Sequence, residues 1–188
     1  DGTWRLHDPD PKKLARATEP HARGAILVAA VFGAFLKVYR ARTADLYRIA
    51  SNGTGVLADG AIHPDLTDRL AKEARVSAGT VLRMCIRAID YCPPVGITFG
   101  DYLRGIVTAD VDLYPDDADG YRLALIESFR QWGIYPEGLP SVSAEALTWP
   151  DWAQTLAAGK ASQMQFSSAY MSSLPKALFE EKEDTAPQ

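Results

Sequence analysis

From Ala25 to Leu36 the chain runs twelve residues without a polar side chain. A segment apolar on every face predicts a helix enclosed by other helices, here over about residues 25–39. Pro20 and Gly24 punctuate the residues ahead of it, so "TEPHARG" reads as a turn leading into a buried central helix. Arg40 and Arg42 turn the pattern back towards solvent, and a separate short helix is expected from about Thr43 to Ser51. Asn52 and Gly53 supply the left-handed backbone that stops it.

The next pattern is amphipathic. Leu66, Leu70, Ala74, Val81, Met84, Cys85, Ala88, Ile89 and Cys92 recur at three- and four-residue spacing, which predicts one long helix with a bend at Ser77 to Gly79. Pro64 suits its first position with His63 or Asp59 near the cap, and Pro93 and Pro94 end it. Thr98 with Asp101 three residues on has the form of a capping box, so a further helix starts there. Tyr121 to Trp132 carries another, closed by Gly133.

Beyond Pro140 the periodicity thins, although "TWPDWAQTLAAGK" and "SSAYMSSLPKALFEEKED" each have room for a short helix. No internal repeat and no sustained alternation argues for strands. The expectation is an all-α helical bundle over residues 21–140. An irregular arm precedes it over 1–20, with one helical turn near Lys12 to Ala17, and a partly helical or loosely attached extension follows over 141–188.

Composition narrows the function. With 20 basic and 24 acidic residues among 188, the chain has no basic excess of the kind that marks a nucleic-acid partner. The twelve-residue apolar run falls short of the ~20 needed to span a bilayer, so no membrane role is expected. Cys85 and Cys92 sit seven residues apart along one helix and its end, ~10 Å of rise, too far for a disulfide. Free thiols point to a reducing, cytoplasmic setting. The opening "DGTWRLHDPDPKK" has neither a starting Met nor the order of a signal peptide, as in a processed chain or a fragment.

Chemistry has few candidate positions. There are three histidines, His7, His21 and His63, and no HExxH, paired Cys-x-x-Cys or G-x-S-x-G is present. The "SNGTG" loop lacks the Gly-Lys-Ser/Thr of a phosphate-binding loop. Asp110, Asp112, Asp116, Asp117 and Asp119 admit a calcium loop or simple capping and solvation, and the EF-hand order does not fit. His21 stands ahead of the apolar helix, where unpaired N–H groups favour an anion. From the residues alone, a turn histidine bonded to a carbonyl is the leading explanation.

The stretches "EPHARGAILVAAVF", "RMCIRAIDYCPPVGITFGDYLRGIVTAD" and "DLYPDDADGYRLALIESFRQWGIYP" resemble the C-terminal part of bacterial gluzincin metallopeptidases, relatives of thermolysin, over about Thr18 to Pro136. The resemblance implies a helical lobe facing an N-terminal zinc-binding lobe, with peptide or protein substrate between them. It assigns His21 to oxyanion stabilisation, with Arg23 as a supplementary cation or an anchor of the turn and Glu19 as the nearest acid to orient the histidine. Zinc, its HExxH ligands and the general base would belong to the parent protein, since this chain has no such motif; the chain alone would be inactive. The motif departs from thermolysin's by one residue and lacks its asparagine. The alternative is a non-enzymatic helical interaction module, and on either reading exposed apolar surface invites self-association.

Overall fold

The fold rests on one helix that is longer than its apolar run. The structure, a computed structural model, describes residues 8–139 and 141–150. Its elements are α1 (Lys13–Arg16), α2 (Pro20–Ala50), α3 (Pro64–Arg87) with a 3-10 turn at Ala88–Tyr91, α4 (Phe99–Leu113), α5 (Tyr121–Gln131) and α6 (Ala144–Leu147). No strand occurs among the described residues, so the all-helical class holds. The described residues up to Trp149 belong to one compact unit. The helices expected within 151–188 lie outside the described residues.

Two expectations about the central helix are corrected. The elements anticipated at about 25–39 and 43–51 are a single helix of 31 residues beginning at Pro20. It starts early because the Glu19 carboxylate accepts from the His21 and Ala22 backbone N–H groups, and Pro20, which has no N–H to satisfy, fits the first turn. It continues through Arg40 and Arg42 because nothing there breaks a helix, and the Thr43 hydroxyl donates to the Tyr39 carbonyl at 2.8 Å. His21 therefore sits inside the first helical turn, not on a turn before it.

The second correction concerns burial. α2 is not enclosed on every face: Ile26, Ala30, Ala34, Val38 and Thr43 are buried, whereas Val28 is 67% exposed and Phe32 47%. The inner face packs on α5 and α3. The closest approach to α5 is at Gly33, where an added Cβ would lie 2.6 Å from Ser128 Oγ. That hydroxyl donates to the Ala30 carbonyl at 2.6 Å, which ties the two helices at their contact. By length and composition α2 is apolar enough to cross a membrane, with a mean hydropathy of 1.6 over eighteen residues, yet only 22% of that window is buried in the bundle.

The other helices follow their local signals. His63 caps α3, its Nδ1 accepting from the Asp65 backbone N–H at 3.2 Å with Pro64 in the first turn. α3 runs as one helix through Ser77 to Gly79, and Ser77 is fully buried. The Thr98 and Asp101 capping box opens α4. Gly133, at φ +71, closes the turn after α5.

The helix that is surrounded is α4. Every residue from Gly105 to Asp110 is buried. A Cβ on Gly105 would meet the Ala88 carbonyl oxygen at 2.7 Å, so the 3-10 turn after α3 lies directly on the α4 backbone. Arg104 reaches across to the last element, donating to the Leu147 carbonyl at 3.1 Å, with its guanidinium 3.5 Å from the Trp149 ring centroid. Cation and ring together hold α6 against α4. The first residues of the expected C-terminal extension thus pack with the bundle.

Candidate functional site

His21 owes its setting to Glu19. One oxygen of that carboxylate lies 2.8 Å from His21 Nδ1 and 3.0 Å from the His21 backbone N–H, and the other accepts from Ala22 N–H at 2.6 Å. These hydrogen bonds, the His21 backbone one foremost, hold the carboxyl below the usual carboxylate range. The imidazole is 98% exposed. Its Nδ1 edge is fixed, and the ring stands at the positive end of a long helix with the other edge open.

Arg23 does different work. Its Nη1 donates to the Ala17 carbonyl at 3.1 Å and the Leu14 carbonyl at 3.4 Å, and its guanidinium lies 6.0 Å from the Phe99 ring. The side chain pins α1 and the arm to the start of α2. Of the two roles open to it, the contacts are those of an anchor.

The acidic segment is spread over separate tasks. Buried Asp110 accepts from Arg122 Nε at 2.8 Å, and the rest of that guanidinium donates to the Tyr114 and Pro115 carbonyls. Burial pushes the Asp110 carboxyl up while Arg122 pulls it down, with burial the larger effect. Asp117 accepts from the backbone N–H groups of Arg122 and Leu123 at 3.1 Å and so caps α5. Asp112 accepts from the Tyr91 hydroxyl, and Asp119 from Arg42, which also holds Glu73 at 3.0 Å. Asp110, Asp112, Asp117 and Asp119 each pair with a cation, a hydroxyl or N–H groups of the protein, not with a common centre.

Among the described residues, no group of three His, Cys, Asp or Glu side chains could hold a metal. A zinc site needs at least three protein ligands, and His21 with Glu19 offers two at most, both already bonded to each other. These residues do not fit a zinc centre. Cys85 and Cys92 are free, and burial pushes both thiols up, so neither is a ready nucleophile. Tyr102 is raised too, chiefly by burial; its hydroxyl donates to the Cys85 carbonyl at 2.9 Å.

No family model, curated protein or solved structure matches this chain.

The feature that patterning missed is an apolar groove of about 650 Å³ between α2, α3 and the start of α4. Leu27, Val31 and Phe35 line its α2 wall, Ala78, Val81 and Leu82 its α3 wall, and Ile97, Phe99 and Tyr102 its end. Leu82 and Ile86 stand 59% and 56% exposed along α3, and Ile89, expected on the core face, is 64% exposed on the 3-10 turn that follows. A signal was present: Ala78, Leu82 and Ile86 fall on a face of α3 different from that of Leu70, Ser77 and Met84, giving the helix a second apolar stripe.

Proposed function

We propose that this chain is the histidine-bearing helical lobe of a zinc-dependent peptidase of the gluzincin type. The observation that supports this reading is the His21–Glu19 pair at 2.8 Å on the first turn of α2, with the far edge of the ring exposed. With the ring protonated, Nδ1–H donates to Glu19 and Nε2–H remains to donate to an oxyanion as it forms. Glu19 serves twice, capping the helix and fixing the ring's orientation. Arg23 acts at one remove by holding the arm beside that turn.

Zinc in this scheme resides on a lobe outside the described residues, and no part of the His21 role passes through it. The test uses the full gene product. Sequence upstream of Asp1 should encode an HExxH helix, and His21→Ala in that protein should lower kcat by ~10²–10³ while KM stays nearly unchanged. Unchanged turnover overturns the reading.

The apolar groove favours a second reading, a non-enzymatic interaction module in which a partner's apolar helix face occupies the space between α2 and α3. The two part at the same upstream sequence, since a module requires no zinc lobe.

A further inference from the structure

We propose that the outer face of α2 is an interface with α2 of a second copy of this chain, the two helices antiparallel about a two-fold axis. The inference rests on that face alone and stands whether or not the peptidase reading does.

The relief of the surface suits its own copy. Val28 and Phe32 form a ridge shared by two grooves, each of about 650 Å³, one towards α3 and one towards the N-terminal arm and α5. A ridge flanked by grooves is what a second identical ridge can enter from either side, the self-complementarity that a two-fold contact requires.

The residues agree with one register. The uncharged run from Ala25 to Leu36 covers ~18 Å of helix. With its midpoint on the axis, antiparallel pairing sets Phe32 of each copy opposite Ala29 of the other and Leu36 opposite Ala25, a large side chain against a small one each time. The same register sets Arg40 opposite His21, two residues or ~3 Å of rise from Glu19. Between Glu19 and Asp45 α2 carries no acid, so Glu19 is the acid on the partner's α2 that this register brings towards Arg40, with Asp8 of the arm lining the neighbouring groove. A parallel pair would instead set Arg40 against Arg40. The partner's guanidinium therefore comes within a helical turn of the His21–Glu19 pair, adding a cation where an anion would be received.

Sedimentation equilibrium of the full 188-residue chain, from micromolar to hundreds of micromolar, should give twice the 20.5 kDa monomer mass. Phe32→Asp and, independently, Ala29→Asp should each weaken association by at least about tenfold, and Arg40→Glu by less, with circular dichroism confirming that each variant keeps its helices. In a mixture of Ala29→Cys and Phe32→Cys chains, oxidation should join unlike chains in preference to Arg40→Cys chains joining each other. A monomer throughout the range overturns the proposal, as does a dimer indifferent to both Asp variants or a preference for Arg40→Cys pairs. A monomer that partitions onto lipid vesicles assigns the face to a bilayer and equally overturns it.

Discussion

α2 and α4 invert what their compositions suggest. α2 contains the most apolar run in the chain, yet five of its 31 residues are buried. α4 has 15 residues, including Asp101, Arg104, Thr108, Asp110 and Asp112, and eight of them are buried. Burial follows from how many neighbours an element has. α4 meets α3, the 3-10 turn, α5 and α6, whereas the main partners of α2 are α5 and α3, both on its inner side. α4 can even bury a carboxylate, because Arg122 arrives with a guanidinium whose remaining donors find two backbone carbonyls. The outer side of α2 keeps the apolar surface that a neighbour would otherwise cover.

The largest expected effect tests this inversion directly. Ile106 on α4 is fully buried, and Ile106→Ala should cost ~2–5 kcal/mol, the lost transfer energy plus the cavity left behind. Phe32 is the bigger side chain but is nearly half exposed, and Phe32→Ala at a concentration where the chain is monomeric should cost ~1 kcal/mol or less. Chemical denaturation of the two variants measures both values. A Phe32 cost equal to that of Ile106 would mean that α2 is enclosed after all.

Much of the bundle could be read from the chain because its signals are local. His63–Pro64 and Thr98 with Asp101 announce helix starts within four residues, and the spacing of Leu70, Val81 and Met84 identifies one face of α3 without reference to any other helix. Where the reading failed, the cause lay at a distance. Nothing between Ala25 and Leu36 says that the neighbours of α2 all lie on one side. Asp110 looks like one member of an acidic loop until Arg122, twelve residues on, folds back to it. The early start of α2 was legible in principle, since an acid followed by proline is a serviceable cap; Gly24 drew the boundary inward because glycine more often ends a helix than sits inside its first turns. His21 drew notice through its neighbours in sequence, while its bond to Glu19 needed the helical turn to bring them together.

A smaller effect tests the crowding around α4. Gly105→Ala adds a single methyl group, but its nearest neighbour is the backbone carbonyl of Ala88 at 2.7 Å, with Cys92 Sγ at 3.1 Å. A backbone cannot swing aside as a side chain can, so the 3-10 turn must shift, at ~1–3 kcal/mol. Gly24 on α2 has nothing within 4 Å of the same added atom, and Gly24→Ala should stabilise the chain by ~0.5–1 kcal/mol through helix propensity. Opposite signs for one chemical change, read by thermal denaturation, would sharpen the contrast between enclosed and open helix; a neutral Gly105→Ala would remove it.

The smallest effect lies at the exposed start of α2. Glu19 in the folded chain titrates below its ordinary value of 4.5 because it accepts from His21 and Ala22. A carboxyl depressed on folding contributes stability that is complete above its unfolded pKa and disappears as pH falls through the lower, folded one. Acidification from about pH 5 downward should therefore release the first turn of α2 before the bundle yields, because only capping bonds are lost there. Amide hydrogen exchange at His21 and Ala22, corrected for the intrinsic pH dependence, should show protection falling in that window while Ile106 and Leu103 in α4 keep theirs. Glu19→Gln retains an acceptor oxygen but cannot titrate, so the change at these two amides should flatten. If the wild-type amides lose no protection as the carboxyl is neutralised, Glu19 is not what holds His21 at the head of the helix, and the orientation argued for its ring falls with it.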